Sequence, residues 1–188
     1  MKVEDIKLVY EYNYWANKRI LTACANVSQE KYVAANDVGN FGSLRATLVH
    51  TLDSEFGWFL VFQKYFVPAD VVKAGSMPAA QEWAVAELTE AELPTFDALK
   101  ARWQDQERAM RTYLDSLADA DMDGLVRYMV DGGIVRERVL WHCLHHVANH
   151  STQHRSEAAI LLTSYGYSPG EMDFTAFLNE YYHLQMEE

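Results

Sequence analysis

Residues 139–166 read VLWHCLHHVANHSTQHRSEAAILLTSYG, and the reading of this stretch decides the fold. Its spacing predicts one long helix from about Val139 to Tyr165, stopped at Gly166, because a glycine just past the last periodic residue is a common helix end. Five of the chain's seven histidines fall between positions 142 and 154. Of these, His142, His146, His150 and His154 step by four, so they lie along one slowly drifting face of that helix. Apolar Val147 and Leu161 share the face.

Working outward, three more long helices emerge. From Glu4 to about Asn26, the positions Ile6, Val9, Tyr10, Asn13, Trp15, Ala16, Ile20 and Leu21 recur at helical spacing. The turn-forming stretch Ala34 to Gly42 (AANDVGNFG) then leads to Ser43, which reads as the N-cap of a second helix. That helix carries Leu44, Leu48, Leu52, Phe56 and Phe59 along one side and is expected to end at Pro68. The longest connector follows, from Val67 to about Pro94, with room for a short helical turn. A third helix begins near Thr95 with Phe96, Leu99, Trp103, Met110, Tyr113 and Leu117. Before the fourth helix, LVRYMVDGGIVRERV (125–139) sets β-branched runs on either side of Asp131-Gly132-Gly133, the pattern of a small β-hairpin. The segment MDFTAFLNEYYHLQ (172–185) closes the chain as a shorter helix.

The expected fold class is therefore all-α: a four-helix bundle with a small hairpin before the fourth long helix and a short C-terminal helix. The long connector permits a crossover between the middle helices. Residues 1–188 are expected to form one domain with a sizeable core. Acidic residues outnumber basic ones 27 to 16, giving a net charge of −11, which argues against nucleic acid and against anionic membranes. No run approaches the ~20 apolar residues that cross a bilayer. The N-terminus intersperses charges among its apolar positions, unlike a signal peptide. Two cysteines, Cys24 and Cys143, stand far apart in expected helices, so they read as buried inert thiols of a cytoplasmic protein rather than as a disulfide framework.

The histidine stripe points to metal chemistry. Histidines four apart have Cβ atoms ~6 Å apart, so two imidazoles can reach one ion. All four cannot, because twelve residues of helix span ~18 Å. One adjacent pair must therefore be completed from elsewhere; His142/His146, His146/His150 and His150/His154 all satisfy the spacing. The second helix offers His50 within LVHTL, on a side that would face the fourth helix. Two ligands from one helix and one from another leave a coordination position open, the form of a catalytic metal site. Other metal motifs fit worse. A zinc-peptidase HExxH needs Glu where Ser151 stands, and a di-iron site needs two Glu-x-x-His pairs where the chain has one, Glu180 with His183, read as a solvated tail.

At these residues the chain resembles the DinB/YfiT-like family of bacterial metalloproteins, across nearly its whole length. YNYWANKRIL (12–21) is similar to the family's first-helix signature, and TLVHTLDSEFGW (47–58) to its second-helix segment. HHVANHSTQHRSE (145–157) resembles the fourth-helix pattern whose last two histidines before Arg hold the metal, and SPGEMDFTAFLNEY (168–181) the C-terminal stretch. The resemblance implies His50, His150 and His154 as metal ligands, a bundle with a crossover, nickel or zinc as the ion, and a homodimer. It also implies thiol-dependent transferase or isomerase chemistry, with bacillithiol or mycothiol as the low-molecular-weight thiol in related branches. The chain departs from the family's His-Arg-Gly-Gln at His154-Arg155-Ser156-Glu157, which places a carboxylate one turn beyond a ligand.

Glu157 is read as solvated, with a place beside the ion as the alternative. His146 is read as an ordinary amphipathic-face histidine, with the pocket mouth or a proton shuttle as its alternative roles. Asp53 is a candidate to orient His50, and Asn149 and Arg155 are expected in interhelix hydrogen bonds or at an interface. Trp15, Tyr12, Trp58 and Trp103 are expected to fill the core. The functional expectation is a metal-dependent enzyme acting on a small molecule, by thiol-dependent transfer or isomerisation before hydrolysis. The rivals are a non-catalytic metal-binding stress-response protein, and a metal-free chain whose histidine stripe is a pH-sensitive face.

Overall fold

The computed structural model describes residues 1–37 and 39–186. Val38, within the expected turn Ala34–Gly42, lies outside the described residues, as do Glu187 and Glu188 of the expected domain. In chain order the elements are α1 (Val3–Cys24), α2 (Gln29–Val33), α3 (Leu44–Tyr65), β1 (Phe66–Val67), α4 (Ala69–Lys73), β2 (Gln81–Glu82), α5 (Phe96–Asp115), β3 (Leu125–Val130), β4 (Ile134–Val139), α6 (Leu140–Ser164) and α7 (Phe174–Met186). The described residues are mostly helical with a small sheet, so the all-α expectation is corrected to that extent.

Local chemistry starts the helices where expected. The Ser43 hydroxyl accepts from the Ala46 amide at 3.0 Å, and the Thr95 hydroxyl from the Ala98 amide at 3.3 Å, satisfying donors that the first turn leaves unpaired. The hairpin pairs β3 with β4 from Leu125 opposite Val139 to Val130 opposite Ile134. Its turn holds Gly132 and Gly133 at φ of 76° and 75°, a region that residues with a Cβ rarely adopt. Two strands were not expected. β1 runs antiparallel and β2 parallel to successive parts of β3, both on the edge that β4 leaves free. Pairing of β1 also explains why α3 stops at Tyr65, ahead of Pro68: Phe66 and Val67 turn extended to reach β3.

Each of the four longest helices packs against two others: α6 against α1 and α3, and α5 against the same two. Side-chain pairs give their directions. Tyr10 bonds the Leu144 carbonyl and Asn17 meets Arg155, so α1 and α6 run the same way. Phe56 lies under Arg102 and Phe62 stacks on Tyr113, so α3 and α5 run the same way too. Consecutive parallel helices need a return, and the stretch through β1, α4 and β2 makes it.

The core is split. One apolar cluster gathers Ile6, Tyr10, Phe59, Phe62, Met110 and Leu144; the other gathers Ile20, Leu48, Leu52, Leu99, Trp103 and Leu161. Between them in every long helix lies a buried polar group: Asn13 and Asn17, Glu55, Gln106, and Ser151 with Arg155. The Glu55 carboxylate, 7% exposed, organises this layer. Its Oε1 accepts from Asn13 Nδ2 (2.9 Å), Asn17 Nδ2 (3.1 Å) and Ser151 Oγ (2.8 Å), and its Oε2 from Trp103 Nε1 (3.0 Å). Gln106 donates to the Glu55 carbonyl.

Arg155, 2% exposed, completes the charge balance without touching Glu55. Its Nη1 donates to Asn13 Oδ1 and to Asn17 Oδ1 (2.9 Å), and its Nη2 to Thr152 Oγ1 (2.8 Å). The two asparagines thus relay between cation and anion, amide nitrogen toward Glu55 and amide oxygen toward Arg155. Burial pushes the Arg155 guanidinium down from its ordinary value, and the Glu55 charge opposes that shift. A buried charge is tolerated only when paired and hydrogen-bonded, and here every lone pair in use has a donor.

Removing one member of such a buried pair typically costs about 3–5 kcal/mol, since the other charge stays behind uncompensated. Glu55→Ala is expected to lower the melting temperature by roughly 10 °C. A double variant in which Arg155 is also replaced by Met should recover part of that loss. Calorimetric melting of the two variants checks both statements.

Candidate metal centre

His50 on α3 and His150 and His154 on α6 come together in the groove between those helices. One ring nitrogen from each lies within 4.8 Å of the other two. Helical drift explains why this end of the stripe is used. Four residues advance an α-helix by 400°, so each step rotates the next histidine by about 40°. His142 and His146 accordingly face solvent, His150 is half-buried, and His154 is only 4% exposed. The polar layer fixes that rotation, because Ser151 and Arg155 alternate with the two histidines and are held by Glu55 and the asparagines.

The geometry suits a tetrahedral ion. His150 Nε2 and His154 Nε2 stand 3.3 Å apart. Two nitrogens each ~2.0–2.1 Å from a tetrahedral zinc are separated by about 3.3–3.4 Å, so this pair has the spacing of two ligands on one ion. The other nitrogen of His154, Nδ1, lies 3.0 Å from Glu157 Oε2. A carboxylate only accepts, so Nδ1 carries the proton and Nε2 keeps its lone pair for coordination. Glu157 is in turn fixed by Asn40 Nδ2, which donates to its Oε1 at 3.0 Å. The expectation of a solvated Glu157 is corrected: its side chain is 16% exposed and orients the His154 ring.

The loop before α3 closes one side. Phe41 stacks on His50 with centroids 4.1 Å apart and meets His154 edge-on at 5.1 Å. Gly39 has φ of 74°, and a Cβ there would come within 3.2 Å of Glu157 Oε2, so the loop approaches as closely as it does because that residue lacks a side chain.

Burial, reinforced by the neighbouring histidines, pushes His150 down to about 4, and burial chiefly lowers His50. Both shifts favour the neutral imidazole, the form that binds a metal. The three-imidazole donor set, the His150–His154 nitrogen spacing and the oriented tautomer of His154 fit a divalent ion that His50, His150 and His154 would hold.

A sequence model of the DinB family matches residues 1–185. The chain belongs to the DinB family. No protein of curated function matches it by sequence. In this DinB-family chain the three histidines that the resemblance implied are the ones the structure brings together. No described helix is long and apolar enough to cross a membrane.

Other candidates fall elsewhere. Asp53 does not orient His50; its Oδ1 accepts from the Leu88 amide at 2.6 Å and ties the long connector to α3. His146 sits at the mouth of the groove, its ring 5.7 Å from His150 and 5.4 Å from Trp58. Glu180 is exposed, as expected of a tail residue, and it also accepts from Trp15 Nε1 at 2.7 Å and pairs with Arg19. Arg155 makes interhelix hydrogen bonds as expected, whereas Asn149 is exposed. Of the four expected core aromatics, only Trp103 is buried; Tyr12, Trp15 and Trp58 are half-buried. Cys24 and Cys143 are free and buried, and burial pushes their thiols up to about 12 and about 11. Neither supplies a thiolate near neutral pH.

Sequence reasoning missed Gly39, Asn40, Phe41 and the role of Glu55. The NFG run gave only a turn signal, and a glutamate at an interior helical position reads as an exposed one.

The lowered His150 has a consequence for the chelated protein. The unfolded chain holds a proton on this histidine below about 6.5, whereas the folded chain resists it down to about 4. Stability therefore rises with pH between those values and is lost as pH falls through them. Melting of the metal-free protein from pH 7 to 4.5 should show a smaller acid loss for His150→Asn than for the parent. An identical pH slope in both proteins would contradict this assignment.

Proposed function

We propose that this protein is a metal-dependent enzyme of the DinB family. In this reading its helical body is a four-helix bundle with a crossover, and His50, His150 and His154 hold one divalent ion, nickel or zinc. One observation supports it above the rest: three imidazoles converge with one flank closed by Phe41, while His50 and His150 remain half-buried on the groove side. A purely structural ion is ordinarily enclosed by four protein ligands, and three with an accessible flank suit catalysis better.

A divalent ion held there supplies Lewis acidity, the property that acidifies a thiol or water brought against it. The chain's own groups bind, orient and exclude. His154 is held in its coordinating tautomer by Glu157, Phe41 keeps water from the His50 and His154 flank, and Arg155 and Ser151 set the rotation of α6. Since both cysteines are buried and protonated, a reacting thiol has to come from outside. That agrees with thiol-dependent transfer or isomerisation using a low-molecular-weight thiol. A cytoplasmic homodimer completes the proposal on the strength of the family.

Protein purified without added metal and analysed by element should carry about one equivalent of a transition metal per chain, and His150→Ala should carry essentially none. Glu157→Ala should retain the site but weaken zinc roughly 10–100-fold, read by competition with a chromophoric chelator. A screen of small thiols with electrophilic acceptors should show turnover that disappears with the metal. Full metal occupancy with no turnover in that screen would favour the non-catalytic metal-binding reading.

A further inference from the structure

We infer that the face running from the histidine triad along α3 and α6 to the sheet binds a planar, negatively charged small molecule, stacked on Trp83 with its edge against Trp58 and its anionic group on Arg138. The inference rests on the proposed reading of the triad as a reaction centre and names the substrate class for it.

Phe41 covers His50 and His154, with Glu157 and Asn40 behind them, while half-buried His150 is followed one turn back along α6 by exposed His146. Because α3 and α6 run in opposite directions, Trp58, two turns beyond His50, comes opposite His146. Beside Trp58 stands Gly57, where a Cβ would meet nothing within 4 Å, so the floor of the groove is open there.

Ring contacts then run without a break. His150 meets His146 at 5.7 Å, His146 meets Trp58 at 5.4 Å, Trp58 meets Trp83 at 6.4 Å, and Trp83 meets Tyr128 at 4.7 Å. Trp83 is 40% exposed yet firmly placed. Its amide donates to the Met129 carbonyl at 2.7 Å, its ring stacks on Tyr65, and the Tyr65 hydroxyl bonds the backbone on both sides of it, at Glu82 and Ala84. A large aromatic pinned in the open, in line with a candidate reaction centre, is suited to stacking a flat ligand.

Arg138 ends the wall. Its guanidinium lies over the Tyr128 ring at 5.8 Å, and its Nη1 donates to the Tyr128 hydroxyl at 2.8 Å. It makes no ion pair among the described residues, while neighbouring Arg127 on the other face of the hairpin is paired with Glu137. The guanidinium is thus pre-oriented with donors to spare. An arginine in that state recognises a carboxylate or phosphate by paired hydrogen bonds, with stacking partners at hand for the rest of the molecule.

The probes are 2-naphthoate and its neutral counterpart 2-naphthalenemethanol, titrated calorimetrically into the full chain, zinc-loaded and after chelation. The parent protein should bind the carboxylate at least roughly tenfold more tightly than the alcohol in both states, as expected for a charge-assisted contact. Arg138→Gln should remove most of that preference, Arg138→Lys should restore part of it, and Trp58→Leu should weaken both probes alike. Melting curves and circular dichroism establish that each variant is folded. Equal affinity for the two probes, or an undiminished preference in Arg138→Gln, overturns the inference. A preference that vanishes with zinc but survives Arg138→Gln also overturns it, by placing the anion on the ion. Failure of the chain to take up zinc sinks the metal reading instead, and leaves the comparison in the chelated protein to decide the role of Arg138.

Discussion

The Glu55 carboxylate is the constraint on which the rest of this structure depends. It is buried on α3 at the level where two apolar clusters meet, and it draws hydrogen bonds from α1, α5 and α6 at once. Apolar packing alone lets a helix slide or rotate at modest cost, because leucine and methionine contacts are interchangeable. A buried anion does not allow this. Each donor must arrive at its own oxygen, or a charge is left unsatisfied in a medium that penalises it heavily.

Arg155 carries the same constraint onto α6. It reaches Glu55 only through the amides of Asn13 and Asn17, so the cation, the anion and both asparagines have to be in place together. On α6, Ser151 and Arg155 are each one residue beyond His150 and His154. Fixing the first pair against the polar layer sets the second pair, about 100° around the helix, into the groove facing His50. Three histidines on two helices therefore meet within ligand distance. Glu157 and Asn40 then refine the result, selecting the tautomer of His154 from outside the triad.

The site that emerges is asymmetric. One flank is sealed by the stacked Phe41 ring and by a loop that can come close only because Gly39 has no side chain. On the other, aromatic residues from α3, the connector and the sheet follow one another in ring contact. The small sheet thereby acquires a role beyond joining helices: β2 and β3 hold Trp83 and Tyr128 in line with the triad. In a strongly acidic chain, the arginine at the end of that line gives the groove a charge unlike that of the protein as a whole.

Periodicity, capping and turn chemistry made much of the architecture legible in the residues themselves. The four long helices, the Ser43 and Thr95 caps and the Asp131–Gly133 turn are local events, governed by residues within a few positions of one another. The spacing of His142, His146, His150 and His154 limited any ion to one adjacent pair, and family resemblance indicated which. Tertiary structure decided the rest. The two-residue strands β1 and β2 exist only because β3 offers a free edge, and no repeat within two residues can announce that. Glu55, a charged residue at an interior helical position, became the centre of the core only once donors on three other helices converged on it. Glu157 and Phe41 became parts of the histidine site because a loop more than one hundred residues upstream of Glu157 folds back over it, a proximity that arises in space and leaves no mark on the order of residues along the chain.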